Sequence, residues 1–209
     1  MIKNLFVFLI LPATIVVLAY LFIQGIGEPV RFEQDKKFRQ EKVAERLKDI
    51  RDLQVAYKSQ HGKFTGSFDS LITFYNQGML KIVKQIGSMD DSVAVAQKLV
   101  KREIISVPVR ENIKLRTVKG NADSLRFVPI VGGEFEMEAV IKRVSGVDVP
   151  LFEARVSYDR LLAGLNRQLI ININASVEDV NKTLTTGKRY SGVKVGSIEQ
   201  PNNNAGNWE

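Results

Sequence analysis

The densest group of chemically capable side chains in this sequence is Glu134, Glu136 and Glu138, set among the alternating apolar residues Phe135, Met137, Ala139 and Ile141. That alternation predicts a strand with one buried and one wet face, and it puts the Glu136 and Glu138 carboxylates on the same face about 7 Å apart. Paired carboxylates at that distance can serve as general acid and base. Nothing near them in sequence supplies a nucleophile, a histidine or a metal ligand, so a solvated strand face is the plainer reading. Gly132-Gly133 lacks the strand-to-helix setting and the Lys-Ser/Thr ending of a phosphate loop, and reads as a turn between strands.

Composition narrows the chemistry further. The chain has no cysteine, which excludes thiol catalysis, disulfides, Cys/His zinc sites and a lipoprotein anchor. The single histidine, His61, falls at the end of a helical stretch just before Gly62, where a cation suits the negative pole of the helix dipole, so its role is local and structural. No catalytic residue, cofactor or metal site is assigned, and a hydrolase would have to work with carboxylates. The charge of +7 comes from 30 basic and 23 acidic residues with both signs interspersed. No helix combines a basic face with interleaved aromatics, so nucleic acid is not an expected partner.

The elements that would position these residues begin with an unbroken apolar run, Leu5 to Ile23. Nineteen residues at about 1.5 Å each approach the roughly 30 Å hydrocarbon thickness of a bilayer, longer than the usual h-region of a signal peptide. The reading is an uncleaved anchor over residues 1–27, with a long signal peptide as the alternative. No clean small-x-small cleavage site follows the run, and Pro12 implies at most a slight kink.

From Phe32 to about Gln60 the pattern is helical, with Glu33/Lys37, Asp35/Arg39 and Lys48/Asp52 at i,i+4. Between Phe32 and Lys42 only Phe32 and Phe38 are apolar, which predicts a solvated stalk or a helix awaiting a partner. Val43, Leu47, Ile50 and Tyr57, widened by Leu53 and Ala56, form a stripe that packs on the protein's own sheet. Gly62 ends this helix. Ser67 caps the next one, which carries Phe68, Leu71, Ile72 and Tyr75 and stops at Gly78. Residues 79–88 are ambiguous, and Val93 to Val100 predict a short third helix. Beyond Lys101 the expected strands are Glu103–Val109, Ser124–Val128, Phe135–Ile141, Val149–Val156, Leu169–Ile173 and Gly192–Ile198. Pro108 and Pro150 mark edge or irregular positions. Tyr158–Leu165 and Ser176–Leu184 add helical turns, the second capped by Ser176.

Three residues are the candidate partner or membrane contacts: Phe32 and Phe38, because that part of the helix has too few apolar neighbours to bury them, and Trp208, a large aromatic behind the Asn-rich tail. Docking of Trp208 on its own domain is an equal alternative to docking on a partner.

Two resemblances follow from these residues. The apolar segment, the charged continuation and the stretch DLQVAYKSQHGKFTGSFDSL resemble the layout of type IV pilins and type II secretion pseudopilins, although MIKN rather than a glycine precedes Leu5 and no acid interrupts Leu5–Ile23. Over most of its length, in RLKDIRDLQVAYKSQHGKFTGSFDSLI, KREIISVPV, DSLRFVPI, FEMEA, SGVDVPLFEA, LIININ and GVKVGSIEQPNNNAGNWE, the chain resembles a family of single-pass envelope proteins of Bacteroidota that carries no assigned activity. The resemblance implies an envelope location and a shared fold.

The expected fold is α+β, with an N-terminal transmembrane helix and charged stalk helix, and helices packed on an antiparallel sheet. The expected divisions are an anchor (1–27), a stalk and long amphipathic helix (28–60), an α+β soluble domain (61–198) and a tail (199–209). The expected function is a membrane-tethered structural or assembly subunit without catalysis, its partners the membrane and other envelope proteins, a homo-oligomer included. An envelope ligand-binding module and a carboxylate hydrolase are the alternatives. Arg31, Lys36, Lys37, Arg39 and Lys42 close behind the anchor favour a cytoplasmic domain by the positive-inside count, while the two resemblances favour the periplasm, which is the placement adopted because long domains translocate largely regardless of charge.

Overall fold

A computed structural model of the chain describes Val7 and residues 10–86, 101–118 and 120–209. The molecule is α+β, built on one helix, α1 (Leu11–His61), that runs 51 residues without a break. Every described large apolar side chain from Ile10 to Phe22 is exposed, and by length and composition this part of α1 is able to cross a membrane. Pro12 lies in the first turn, where its missing N–H has no partner to lose, whereas Pro29 lies inside the helix and removes one rung of the ladder.

Burial begins at Phe32 and continues along the same face through Val43, Leu47, Ile50 and Leu53. The stripe read from helical spacing is therefore the spine of the core. Gly62 ends α1 in a left-handed conformation, φ 72°, with its N–H donating to the Lys58 carbonyl; the lack of a Cβ makes that conformation cheap. Helix α2 (Phe68–Gln77) starts with the Ser67 hydroxyl accepting from the Ser70 N–H and buries Leu71, Ile72, Phe74 and Tyr75. Its Gly78 N–H closes on the Phe74 carbonyl.

The β structure forms two small antiparallel sheets rather than one. Strand β1 (Met79–Ile86) resolves the ambiguous 79–88 stretch and pairs with β2 (Lys101–Pro108), Met79 opposite Pro108. The helix expected over Val93–Val100 lies outside the described residues. A single turn, α3 (Val109–Asn112), follows β2. The second sheet has the order β3-β4-β5, from β3 (Glu136–Val144), β4 (Val147–Ser157) and β5 (Gly192–Gly196). Although β4 is central, β5 pairs only with Glu153 to Ser157, so Pro150 sits where β4 has a neighbour on one side alone. That is how the strand tolerates a residue without an N–H.

Two expected strands are helical. Ser124–Val128 gives way to a 3-10 turn over Ala122–Arg126, because the Asn121 side chain caps the Asp123 N–H and the turn sends Ala122 and Leu125 into the core. Leu169–Ile173 belongs to a helix that also absorbs Ser176, here α5 (Arg167–Thr183), which follows the short α4 (Tyr158–Leu161). The cap is Asn166, whose side-chain oxygen accepts from the Gln168 and Leu169 N–H groups at 2.9 and 3.2 Å, and not Ser176. Ile170 is buried with Leu169 and Ile173 partly so, a one-sided pattern that suits a helix as well as the alternation suits a strand.

The inner face of the larger sheet, Phe152, Ala154, Val156, Val193 and Val195, closes on α1, with the Phe64 ring tilted against Phe152 at 4.8 Å between ring centres. Polar side chains pin the loops to the same helix. Asp49, 1% exposed, accepts from the N–H groups of Arg116 and Thr117 and from the Thr117 hydroxyl. Gln54, fully buried, bonds both the N–H and the carbonyl of Thr65.

Candidate functional site

The structure separates the three candidate contact residues. Phe32 is 5% exposed and belongs to the core, which corrects the reading of a solvated stalk at that position. The reason lies far away in sequence: Glu28 accepts a 2.6 Å hydrogen bond from the Asn166 amide, and Arg39 donates to the Leu161 and Ala163 carbonyls. The α4–α5 corner thus lies along this section of α1 and supplies the apolar cover that the local sequence lacks. Phe38 is turned away from that corner and is 54% exposed.

Trp208 is held on the protein's own domain. Gly206 bridges Val195, the Gly196 N–H donates to the Ala205 carbonyl, and Asn207 exchanges main-chain and side-chain hydrogen bonds with Lys194 while its amide donates to the Gly192 carbonyl. Glu209 completes the seam with a 2.6 Å ion pair to Arg51, and this guanidinium holds the Glu209 carboxyl below its usual range. Tail residues thereby extend the sheet past β5 and carry the indole onto the core. Sequence reading had left this open, since Asn and Gly predict flexibility while the pairing partners are main-chain groups that leave no side-chain signature.

Docking of the tail creates a cleft of about 480 Å³ between α1 and the end of the sheet, with Gln40, Ala44, Tyr158, Val193, Asn207 and Trp208 among its walls. Lys37, Glu41, Glu45 and Lys48 also line it. Gln40 donates to the Tyr158 hydroxyl at 3.0 Å. Burial pushes the Tyr158 phenol above its ordinary pKa, partly offset by the Gln40 hydrogen bond, so the group stays protonated at neutral pH and is a hydrogen-bonding fixture rather than a base. The Trp208 indole nitrogen is buried without a hydrogen-bond partner, a feature that burial ordinarily penalises.

The carboxylates that opened the sequence reading lie on the outer face of the larger sheet. Glu136 accepts from the Arg155 Nε at 3.0 Å. Arg155 also reaches Glu153, a buried residue that sequence reading did not single out, at 2.8 Å, and Lys194 closes on the other Glu153 oxygen at 2.9 Å. Tyr190 lies beside both cations, 5.8 Å from Arg155 and 5.9 Å from Lys194. The Glu136 and Glu153 hydrogen bonds raise the Arg155 pKa above its ordinary value. Glu138 stands directly opposite Glu153 in the register, a like-charge pairing that is unfavourable unless cations intervene. Arg155 and Lys194 pair with Glu153 and relieve the repulsion from that side, and with Glu136 the ion pairs run across three strands. Its only advance signal was the alternation of charged residues along β4.

His61 is the last residue of α1, stacked on Tyr57 at 4.1 Å with its Nδ1 3.0 Å from the Tyr57 carbonyl, a local arrangement at the helix end. Among the described residues no group of three or more His, Cys, Asp or Glu has a geometry able to hold a metal ion. Comparison with protein-family models, curated proteins and solved structures finds no match to this chain.

Proposed function

We propose that the protein is a single-pass, membrane-tethered assembly subunit of a bacterial envelope complex, with its folded domain on the periplasmic side of the inner membrane. The observation that carries this reading is the continuity of α1: a segment whose described apolar side chains are all exposed, Ile10 to Phe22, passes with no change of element into the buried spine of the domain. Exposed apolar surface of that length costs free energy in water and none in a bilayer. The envelope placement also rests on the resemblance carried by the N-terminal layout and the C-terminal stretch.

Phe38 is the partner contact we assign to the subunit. It stands 12 residues beyond Ile26, about 18 Å along a helix, too far from the apolar segment to reach lipid and not buried by the domain. The test is a photo-reactive phenylalanine analogue at position 38 in intact cells, with the same analogue at Val55 as control. A discrete crosslinked species specific to position 38 supports an assembly role, and a chain that crosslinks to nothing and purifies as a detergent monomer refutes it. Protease added to intact spheroplasts tests sidedness, since survival of the domain until lysis would place it in the cytoplasm.

One observation favours a second reading, an envelope ligand-binding module: the cleft of about 480 Å³ that Trp208 lines together with Gln40, Ala44 and Tyr158. A solute seated there would touch the tryptophan, and quenching or shifting of Trp208 fluorescence would report it. The hydrolase alternative has against it the ion pairs that already engage Glu136 and Glu153.

A further inference from the structure

The domain is not raised above the bilayer on a stalk. We infer that its base, the corner between α4 and α5, rests in the lipid headgroup layer, where Arg31 and Arg167 bind the anionic headgroups of the same leaflet that holds the anchor. The inference rests on the membrane-tethered reading, and it deepens that reading by assigning a second, peripheral contact to the folded domain.

The argument is one of levels along a single rigid ruler. The unbroken apolar run ends at Ile23, and Glu28 lies five residues, about 7.5 Å, further along the helix. The headgroup region beyond each face of the hydrocarbon core is about 5–7 Å deep. Glu28 is hydrogen-bonded to Asn166 at 2.6 Å, so Asn166 and the first turn of α5 occupy the same level. From there the chain climbs away from the anchor. Arg39 binds the Leu161 and Ala163 carbonyls, Gln40 binds Tyr158, and Asn174 of α5 bonds Asp159, which places both α4 and the middle of α5 about a dozen residues higher on α1. The lowest part of the domain is therefore the turn at Asn166 with the start of α5, and a spacer between it and the membrane has no room.

The chemistry of that corner fits the surface it meets. Arg31 and Arg167 are both exposed, and among the described residues neither makes an ion pair or a side-chain hydrogen bond. Glu28 is the acid at this level, and its carboxylate is turned toward the Asn166 amide. The next acid on the helix, Glu33, is paired with Lys36 at 2.6 Å. Gln168, next to Arg167, is exposed and uncharged, so the corner presents two arginines against the one carboxylate of Glu28. Arginine forks match phosphate oxygens, and cations near an anionic leaflet are attracted within a Debye length. This holds whichever face of the membrane carries the domain.

The absence of cysteine allows the full chain to be labelled at one position at a time. Cysteine variants Leu18→Cys, Gln168→Cys and Val55→Cys, each carrying an environment-sensitive fluorophore, are reconstituted in phosphatidylcholine vesicles with or without phosphatidylglycerol. Quenchers are spin-labelled lipids, with the spin in the acyl chain or on the headgroup. Leu18 reports the tether, Gln168 the base, and Val55 a site about 40 Å higher on α1. The expected result is acyl-chain quenching at Leu18, headgroup quenching at Gln168 at least threefold above Val55, and a further rise at Gln168 when phosphatidylglycerol is present. That rise disappears in the Arg31→Glu/Arg167→Glu variant while Leu18 stays quenched. Quenching at Leu18 with Gln168 no more quenched than Val55 overturns the inference and leaves the tether standing. An unquenched Leu18 overturns the tether itself and the inference with it, and a Gln168 signal indifferent to lipid charge and to both arginines overturns the assignment of headgroup ligands.

Discussion

Replacing Asp49 by alanine is the sharpest single test of how the loops are fixed to α1. Asp49 is 1% exposed and accepts three hydrogen bonds, from the Arg116 N–H at 3.0 Å, the Thr117 N–H at 2.9 Å and the Thr117 hydroxyl at 2.6 Å. Each hydrogen bond to a charged group contributes about 1.5–3 kcal/mol, roughly 4–9 kcal/mol for three before the cost of burying the carboxylate is returned. Arg116 is exposed, so water reaches part of the loop once the acceptor is gone, which keeps the loss toward the low end. A second term acts in the other direction. Burial lowers the Arg46 pKa and Asp49 offsets this, so its removal leaves a buried cation without its counter-charge. The expected net destabilisation is about 3 kcal/mol, or roughly 6–12 °C in Tm for a domain of this size. Denaturation of the full chain in detergent, followed by the emission of its single tryptophan, Trp208, measures it. Asp49→Asn keeps one acceptor oxygen and should fall between wild type and Asp49→Ala, and Glu45→Ala, exposed on the same helix, should change stability by less than about 0.5 kcal/mol. An Asp49→Ala protein within 0.5 kcal/mol of wild type would show that the carboxylate does not hold the 113–118 loop.

Two further perturbations address the sheet and its extension. Gly196 has φ 74°, and a Cβ there would lie 2.2 Å from the Phe152 carbonyl oxygen, so Gly196→Ala should cost roughly 2–4 kcal/mol by strain and by breaking the β4–β5 approach; unfolding as stable as wild type counts against the described register. Deleting residues 202–209 removes four hydrogen bonds to Gly192, Lys194 and Gly196 together with the Trp208 contact. After the entropy of ordering the tail is subtracted, the net loss should be about 2 kcal/mol, read by circular dichroism because the tryptophan is gone. Unchanged stability would mean that the tail is an accessory. In the intact chain Glu209 has a pKa depressed below 4.5 by Arg51, so its contribution is full above that value and fades as pH falls through the lower, folded-state one. Trp208 emission should accordingly shift to the red only at pH below the ordinary glutamate range, and a shift centred near neutrality would implicate some other group.

What was legible in the sequence was local. Val43, Leu47 and Ile50 announce a buried helical stripe by spacing alone, Ser67 and Gly78 bracket a helix by the hydrogen bonds they are able to make, and the alternation from Phe135 to Ile141 describes a half-wet strand. Pairing was not legible. A period of two tells which side chains share a face and says nothing about which strands meet, so one sheet was expected where two form. Phe32 looked stranded because its cover arrives from a corner about 130 residues later, held by Asn166 and Arg39. Asp49 and Gln54 carry no sign of burial in the sequence for the same reason, since most of their partners are main-chain groups outside the helix. The LIININ stretch, alternating on paper, becomes helical because Asn166 caps it and one edge suffices to bury it. Of the three aromatics singled out as contacts, Phe32 is buried, Trp208 is half-buried on its own domain and Phe38 is exposed, a distinction that only tertiary packing decides.

The unbroken run of α1 from Leu11 to His61 fixes the rotational phase of the domain relative to its apolar N-terminal segment. Each residue of a helix advances about 100° and 1.5 Å, so one residue inserted between Ile26 and Glu28 would swing the entire folded body by more than a quarter turn while lifting it by less than the diameter of a water molecule. Height would scarcely change, and azimuth would change completely. Pro29 is the place where this shaft lacks a rung, and the hydrogen bond from Asn166 to Glu28 braces it one residue away. A neighbour that grips the apolar segment and another that reads the domain would thereby be coupled through torque, and the direction in which Phe38 points is set by the rotation of that segment.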